Sequence, residues 1–121
     1  MSRKMTTLDL EPMMWAKFEI TLAQKEMKNL KEGIKSNKNM KINIFDILLN
    51  KYLNGKIHIN IQNEPLPENI IRKAIVIKPE TIKWLNKHRE ILKEKATDNE
   101  KKKIKNRNII IGLMRYYINE K

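Results

Sequence analysis

Side chains that could perform catalysis or hold a metal are few and isolated in this sequence. His58 and His88 lie far apart, and neither has the neighbouring ligands that a metal site needs. The absence of cysteine excludes disulfides, thiolate zinc sites and cysteine nucleophiles. Three glycines are too few for a glycine-rich phosphate loop. The sequence therefore predicts a protein that is not an enzyme and has no catalytic residues, no metal site and no cofactor.

An excess of basic residues is the most prominent feature of the composition. Lysine and arginine number 26 against 14 acidic residues, which gives a net charge of +12 and a pI near 9.9. Residues 72–121 contain fifteen basic and six acidic side chains and carry +9 of this charge. Such a balance favours a polyanionic partner, either a nucleic acid or an anionic membrane surface.

The hydropathy pattern favours the nucleic acid over the membrane. The longest apolar stretch, residues 109–114, is far shorter than the ~20 residues that span a bilayer, so no membrane partner is expected. The first residues lack the apolar region of a secretory signal, and we expect a cytoplasmic protein. A length of 121 residues suits one compact domain or two small, closely joined units.

The first half of the chain is predicted to contain one strand and two helices. Residues 1–15 are predicted to form a flexible basic arm. Residues 17–22 alternate between polar and apolar side chains, which is typical of a half-buried strand. An apolar repeat of about 3.6 residues then predicts a helix over 24–36. Asn43 is expected to cap a second, strongly apolar helix over 44–53.

The second half repeats this pattern after a break in composition. Residues 72–78 are predicted to form a strand, Pro79 opens a helix, and Asn108 precedes a last apolar helix. The strands align when Leu22 is matched with Ile77, and after an expansion of the helix–helix loop Tyr52 aligns with Tyr117. The chain therefore contains a weak internal repeat of strand, helix and helix.

This order of elements resembles the ribbon-helix-helix (MetJ/Arc) family. Two such units in one chain resemble the TraY-type accessory proteins of conjugative plasmids. The resemblance implies an α+β, mostly helical fold, in which two tandem units share a two-stranded antiparallel ribbon over four helices. The first unit would span residues 16–54 and the second residues 72–121. Residues 55–71 would be a linker or an extra edge strand.

The resemblance also implies which residues would bind DNA. The outer face of the ribbon would contact base edges in the major groove, and the N-termini of the second helices would bind phosphates. The expected base contacts are Lys17, Glu19, Thr21, Arg72, Ala74 and Val76. The expected phosphate contacts are Lys41, Asn43, Arg107 and Asn108, and the arm residues Arg3 and Lys4 could enter the minor groove.

Several functions are compatible with this pattern. The favoured one is a sequence-specific double-stranded DNA-binding protein of a plasmid or mobile element. It would act as a relaxosome accessory protein at a transfer origin or as a transcriptional repressor, with a relaxase or another plasmid-encoded protein as a further partner and with self-association along DNA. The alternatives are a plasmid partition centromere-binding protein and a basic, antitoxin-like interaction adaptor. A single-stranded nucleic-acid binder is disfavoured, because only 6% of the residues are aromatic. A single-chain ribbon and an intertwined homodimer both remain open.

Overall fold

The computed structural model describes the backbone of residues 4–31 and 40–119 and the side chains of residues 7–28 and 44–119. The fold is α+β and mostly helical, as predicted. Its elements, in chain order, are β1 (Lys4–Leu10), α1 (Pro12–Lys31), α2 (Met40–Leu53), β2 (Ile71–Ile77), α3 (Pro79–Lys95), α4 (Asp98–Lys101) and α5 (Asn106–Asn119).

The two strands form an antiparallel ribbon within one chain. Thr7 pairs with Ala74 at its centre. Successive side chains of a strand point to opposite faces, so one face of the ribbon is buried on the helices and the other faces outward. The buried side chains are Leu8, Leu10, Ile75 and Ile77. Ile75 and Ile77 face the core, as follows from the assignment of Arg72, Ala74 and Val76 to the outer face.

The predicted strand at residues 17–22 is wrong, because this segment lies in helix α1. In a strand, the apolar residues Phe18, Ile20 and Leu22 would share one buried face. Phe18 and Leu22 are buried, whereas Ile20 is 56% exposed. Positions i and i+4 share one face of a helix, and position i+2 lies on the opposite side. The predicted 24–36 helix therefore begins much earlier, at Pro12.

The predicted flexible arm is also wrong over residues 4–15. Residues 4–10 form β1, whose backbone groups are satisfied by pairing with β2. The short alternation that ends in Leu8 and Leu10 places both leucines in the core. Pro12 then begins α1, where its missing N–H costs nothing. Arg3 lies outside the described residues, and Lys4 begins β1.

A regular internal repeat relates β1 and α1 to β2 and α3. Aligning Pro12 with Pro79 also matches Leu8 with Ile75, Leu10 with Ile77 and Phe18 with Leu85. All these leucine, isoleucine and phenylalanine side chains are buried. The same alignment matches Thr7 with Ala74, its own partner at the centre of the ribbon. A pseudo-twofold axis therefore passes through this pair, and the predicted alignment of Leu22 with Ile77 is wrong.

The last helices of the two halves keep the predicted alignment of Tyr52 with Tyr117. Leu48 and Leu49 in α2 are buried, and so are their counterparts Leu113 and Met114 in α5. Both helices begin earlier than predicted: α2 at Met40 and α5 at Asn106. Their apolar faces pack together in the core, as expected for helices too apolar to stand alone.

An aromatic cluster joins α1 to α2 and α5. The Phe18 ring centroid lies 5.7 Å from that of Trp15, 5.4 Å from that of Phe45 and 5.4 Å from that of Tyr117. The ammonium of Lys25 lies 4.0 Å from the Tyr117 ring centroid, within the range of a cation–π contact. Phe18 therefore links α1 to both α2 and α5 in the core.

Residues 55–70 form a connector that crosses α5. Gly55 has a positive φ of 75° and ends α2 with a pair of turn hydrogen bonds, from Gly55 N–H to the Tyr52 carbonyl and from Lys56 N–H to the Lys51 carbonyl. Of the two alternatives for residues 55–71, a linker or an extra edge strand, the structure shows no strand pairing over residues 58–67. Instead, Ile59 lies over Gly112. A Cβ at Gly112 would come within 3.2 Å of the Ile59 Cδ1.

The contact between α2 and α3 includes a half-buried polar pair. The Tyr52 hydroxyl and the His88 Nε2 are 3.0 Å apart and share a hydrogen bond, and the two rings meet edge to face. Burial lowers the pKa of His88 and raises that of Tyr52. Both shifts favour the neutral forms, which suit an interface partly removed from water.

Candidate nucleic-acid interface

The outer face of the ribbon is an accessible surface with mixed polar and aliphatic side chains. From β2 it presents Arg72, Ala74 and Val76, the three residues predicted from the sequence. From β1 it presents Thr7 and Asp9, opposite Ala74 and Arg72 in the ladder. These five residues form what we term the outer strip. Hydrogen-bond donors, acceptors and small apolar groups stand side by side on it.

Arg72 and Asp9 form a two-pronged ion pair across the ribbon. Arg72 Nε donates to Asp9 Oδ1 at 2.8 Å, and Arg72 Nη2 donates to Asp9 Oδ2 at 3.3 Å. The hydrogen bond from Arg72 lowers the pKa of the Asp9 carboxyl, and the same bond raises the pKa of Arg72. Both groups are thus charged at neutral pH. Because exposed ion pairs contribute little to stability, this pair can open toward a ligand at small cost.

Helix α5 begins at the Asp9 end of the ribbon. Arg107, in its first turn, donates to the Asp9 carbonyl from Nε at 3.3 Å and from Nη2 at 3.1 Å, and its Nη1 donates to the Glu64 carbonyl. These bonds hold the helix start at the Asp9 end of the ribbon. The exposed Lys105 immediately precedes the helix. The N–H groups of a first helical turn lack intrahelical partners and attract anions.

Helix α2 lies at the other end of β2. The buried carboxylate of Asp46 accepts hydrogen bonds from the Lys78 backbone N–H at 3.0 and 3.3 Å. This contact fixes the middle of α2 where β2 ends and α3 begins. Helices α2 and α5 therefore contact opposite ends of the ribbon.

Two predicted phosphate ligands are engaged within the protein. Arg107 is bound to two backbone carbonyls, as described above. Asn108 is buried, and its Nδ2 donates to the Lys103 carbonyl at 2.8 Å. Asn108 is not a helix cap, since α5 begins two residues earlier. The side chains of the other two, Lys41 and Asn43, lie outside the described residues.

Three predicted base contacts lie on a helix instead of the ribbon. Lys17, Glu19 and Thr21 belong to α1, and the Thr21 hydroxyl donates to the Lys17 carbonyl at 2.8 Å. The structure does not bring them onto the outer strip with Arg72, Ala74 and Val76. A base contact from these residues requires a strand over residues 17–22, and this segment is helical.

Comparisons with protein-family models, with curated proteins and with solved structures give no match to this chain. Within the described residues, no three histidine, aspartate or glutamate side chains approach one another closely enough to hold a metal ion. Over the same part of the chain, no helix has both the length and the apolar character needed to cross a membrane.

Sequence reasoning missed Thr7 and Asp9 as members of the outer strip. The signal that could have found them is the spacing to the next proline. In the first half, Leu8 and Leu10 precede Pro12, and in the second half, Ile75 and Ile77 precede Pro79 at the same spacing. Aligning the two prolines gives Thr7 the role of Ala74 and Asp9 the role of Val76.

Proposed function

We propose that this chain consists of two tandem ribbon-helix-helix units and binds double-stranded DNA through the outer face of its ribbon. The observation that carries the proposal is the accessible outer strip on a two-stranded antiparallel ribbon. Helix α5 begins at one end of this ribbon, and α2 contacts the other end. The major groove of B-DNA admits a two-stranded ribbon of this kind. The net charge of +12 supplies the general attraction to a polyanion.

The side chains of the outer strip suit the base edges of the major groove. The Arg72 guanidinium can donate to guanine O6 and N7, and the Asp9 carboxylate can accept from the cytosine amino group. Thr7 can serve as donor or acceptor, while Ala74 and Val76 offer methyl groups to thymine. The Arg72–Asp9 pair would open to meet a guanine–cytosine pair, exchanging one set of charge-assisted hydrogen bonds for another.

Phosphate contacts would come from the starts of α2 and α5. The two helices contact opposite ends of the ribbon, so we expect their starts to reach the phosphates on both sides of one groove. The exposed Lys105 precedes α5, and the exposed Lys78 lies at the contact with α2. Phosphate contacts set the register of the protein on the duplex, and base contacts supply its sequence preference.

The recognised site would be non-palindromic. One chain provides both strands, and the positions related by pseudo-symmetry differ: Thr7 corresponds to Ala74, and Asp9 corresponds to Val76. A symmetric operator matches a protein with identical halves, which this chain lacks. Relaxosome assembly and repression would each be served by such binding, since both need occupation of a specific duplex site, and the fold does not choose between them.

A salt-dependent titration tests the proposal. A fluorescein-labelled duplex from the region upstream of the protein's own gene is titrated by anisotropy, with a scrambled duplex and the single strand as competitors. We expect the upstream duplex to be bound more tightly than the scrambled duplex or the single strand. A plot of log affinity against log salt concentration should have a slope of about −3 or steeper, which corresponds to three or more phosphate contacts. The absence of saturable binding to either duplex at low salt would overturn the proposal.

A further inference from the structure

Helix α1 carries two separate apolar faces. One face packs on the core through Phe18 and Leu22. The opposite face is exposed and forms what we term the α1 stripe, consisting of Met13, Ala16, Ile20, Ala23 and Met27. Its three large members are 60%, 56% and 58% exposed, in chain order. Single exposed apolar residues are normal, but a contiguous row of them marks an interaction surface.

The spacing of the α1 stripe is that of a coiled-coil seam. Met13, Ile20 and Met27 recur once per heptad, and each alanine follows three positions after a large side chain. This is the a and d pattern that lets two helices pack along a common seam. The small alanines at the d positions allow the two helix backbones to approach closely.

The fold itself does not require this stripe. The alignment of Pro12 with Pro79 relates α1 to α3 and therefore gives each stripe residue a counterpart. The counterparts are Glu80, Lys83, Lys87, Glu90 and Glu94, all charged and all exposed. The same exposed positions are thus charged in α3 and apolar in α1. The apolar residues of the α1 stripe are therefore not required by the part of the fold that the two halves share.

The apolar surface continues beyond the helix. A groove of about 650 Å³ runs between the start of α1 and the connector, lined by Met13 and Ala16 on one side and Pro67 on the other. Leu66, one residue before Pro67, is 63% exposed. The groove widens the seam at its N-terminal end into a patch that a second apolar helix can cover.

We infer that the α1 stripe is the contact between two copies of this chain, paired with their α1 helices parallel. Of the two equivalent helices α1 and α3, only α1 has such a seam, because the corresponding face of α3 is charged. A single self-complementary seam gives a closed twofold dimer. Glu19 and Glu26 lie along one edge of the seam, and Lys17 and Gln24 along the other. Parallel pairing places Glu19 of one copy opposite the neutral Gln24 of the other, whereas antiparallel pairing would bring glutamates together.

This inference does not depend on DNA binding. The family resemblance implied self-association along DNA but did not indicate which surface would mediate it. The α1 stripe is such a surface, and it can mediate dimerisation in the absence of DNA. The dimer would hold two ribbons in fixed geometry, so that each chain occupies one site. A failure of DNA binding would leave the dimer intact, and a failure of the dimer would leave single-site binding intact.

Sedimentation equilibrium without DNA tests the dimer. Ile20→Lys places in the stripe the residue type that α3 holds at the equivalent position, and it should weaken dimerisation at least about tenfold. Ile91→Lys is the matched control, because Ile91 is an exposed isoleucine on α3, outside the stripe. We expect the wild type and Ile91→Lys to dimerise alike. A monomeric wild type, or a dimer that Ile20→Lys leaves unchanged, would overturn the inference.

Cysteine cross-linking tests the parallel orientation. The chain contains no cysteine, so a single introduced thiol reports one position. In a parallel seam, residue 23 of one copy meets residue 23 of the other, and Ala23→Cys should form a disulfide-linked dimer under mild oxidation. Lys87→Cys, on the charged face of α3, should remain uncross-linked. A dimer in which Ala23→Cys does not cross-link would contradict the parallel arrangement.

Discussion

Replacing Phe18 by alanine is expected to lower the free energy of unfolding by about 3–5 kcal/mol, the usual cost of emptying a buried phenylalanine site. Phe18 is 1% exposed and contacts three aromatic rings from α1, α2 and α5. Its removal opens a cavity at the point where these helices meet. Urea denaturation followed by circular dichroism measures the loss as a shift of the midpoint at unchanged slope.

Ile20→Ala is the informative control for Phe18→Ala. If residues 17–22 formed a strand, Phe18 and Ile20 would share the buried face, and both substitutions would be costly. In helix α1 the two lie on opposite sides, so Ile20→Ala should change the stability of the single chain by less than about 0.5 kcal/mol. The measurement is made at low protein concentration, where dimerisation does not contribute. Similar losses for the two variants would contradict the helix.

Ala74→Glu is expected to abolish specific DNA binding without unfolding the protein. Ala74 is exposed at the centre of the outer strip, opposite Thr7. A carboxylate placed there would enter the groove between two rows of phosphates, and like-charge juxtaposition at an interface costs several kcal/mol. Affinity for the preferred duplex should fall at least about 100-fold, as measured by anisotropy titration, while the thermal unfolding midpoint stays close to that of the wild type.

Two further variants separate the possible causes of that loss. Ala74→Gln has nearly the same size as Ala74→Glu but no charge, so it should retain more affinity than the glutamate variant. Asn60→Asp adds one negative charge on the connector, where the Asn60 carbonyl lies over Gly112, away from the outer strip. It should lower affinity only slightly. Equal losses for Ala74→Glu and Asn60→Asp would mean that net charge, and not the ribbon, governs binding.

The second half of the chain could be predicted from its sequence, because its local signals agree. Pro79 marks the start of α3, and the strand before it has no competing assignment. Residues 17–22 satisfied two periods at once: Phe18 and Leu22 fit a helix, and the same residues with Ile20 fit a strand. Tertiary context decides such cases. Because β1 pairs with β2, the ribbon is complete without residues 17–22. The aromatic contacts of Phe18 then favour a helix, in which Phe18 and Leu22 share the buried face.

The candidate site could be predicted to the same extent as the fold that positions it. Arg72, Ala74 and Val76 were found because β2 was found, and Thr7 and Asp9 were missed because β1 was taken for an arm. The role of Arg107 could not be foreseen, since its hydrogen-bond partners, the Asp9 and Glu64 carbonyls, are brought to it by tertiary packing. Asn108 binds the nearby Lys103 carbonyl, and its role was missed because α5 begins two residues earlier than predicted. A sequence pattern identifies a polar side chain but not which carbonyl it will meet.

The most direct test of the central claim, that the outer strip contacts duplex DNA, is thiol protection at position 74. Ala74→Cys provides the single thiol of the chain, and its alkylation rate is measured with and without saturating duplex. Lys87→Cys serves as the exposed control on α3. We predict that duplex slows alkylation at position 74 in proportion to the fraction of protein bound and leaves position 87 unchanged. Full reactivity at position 74 in the DNA-bound protein would contradict the account.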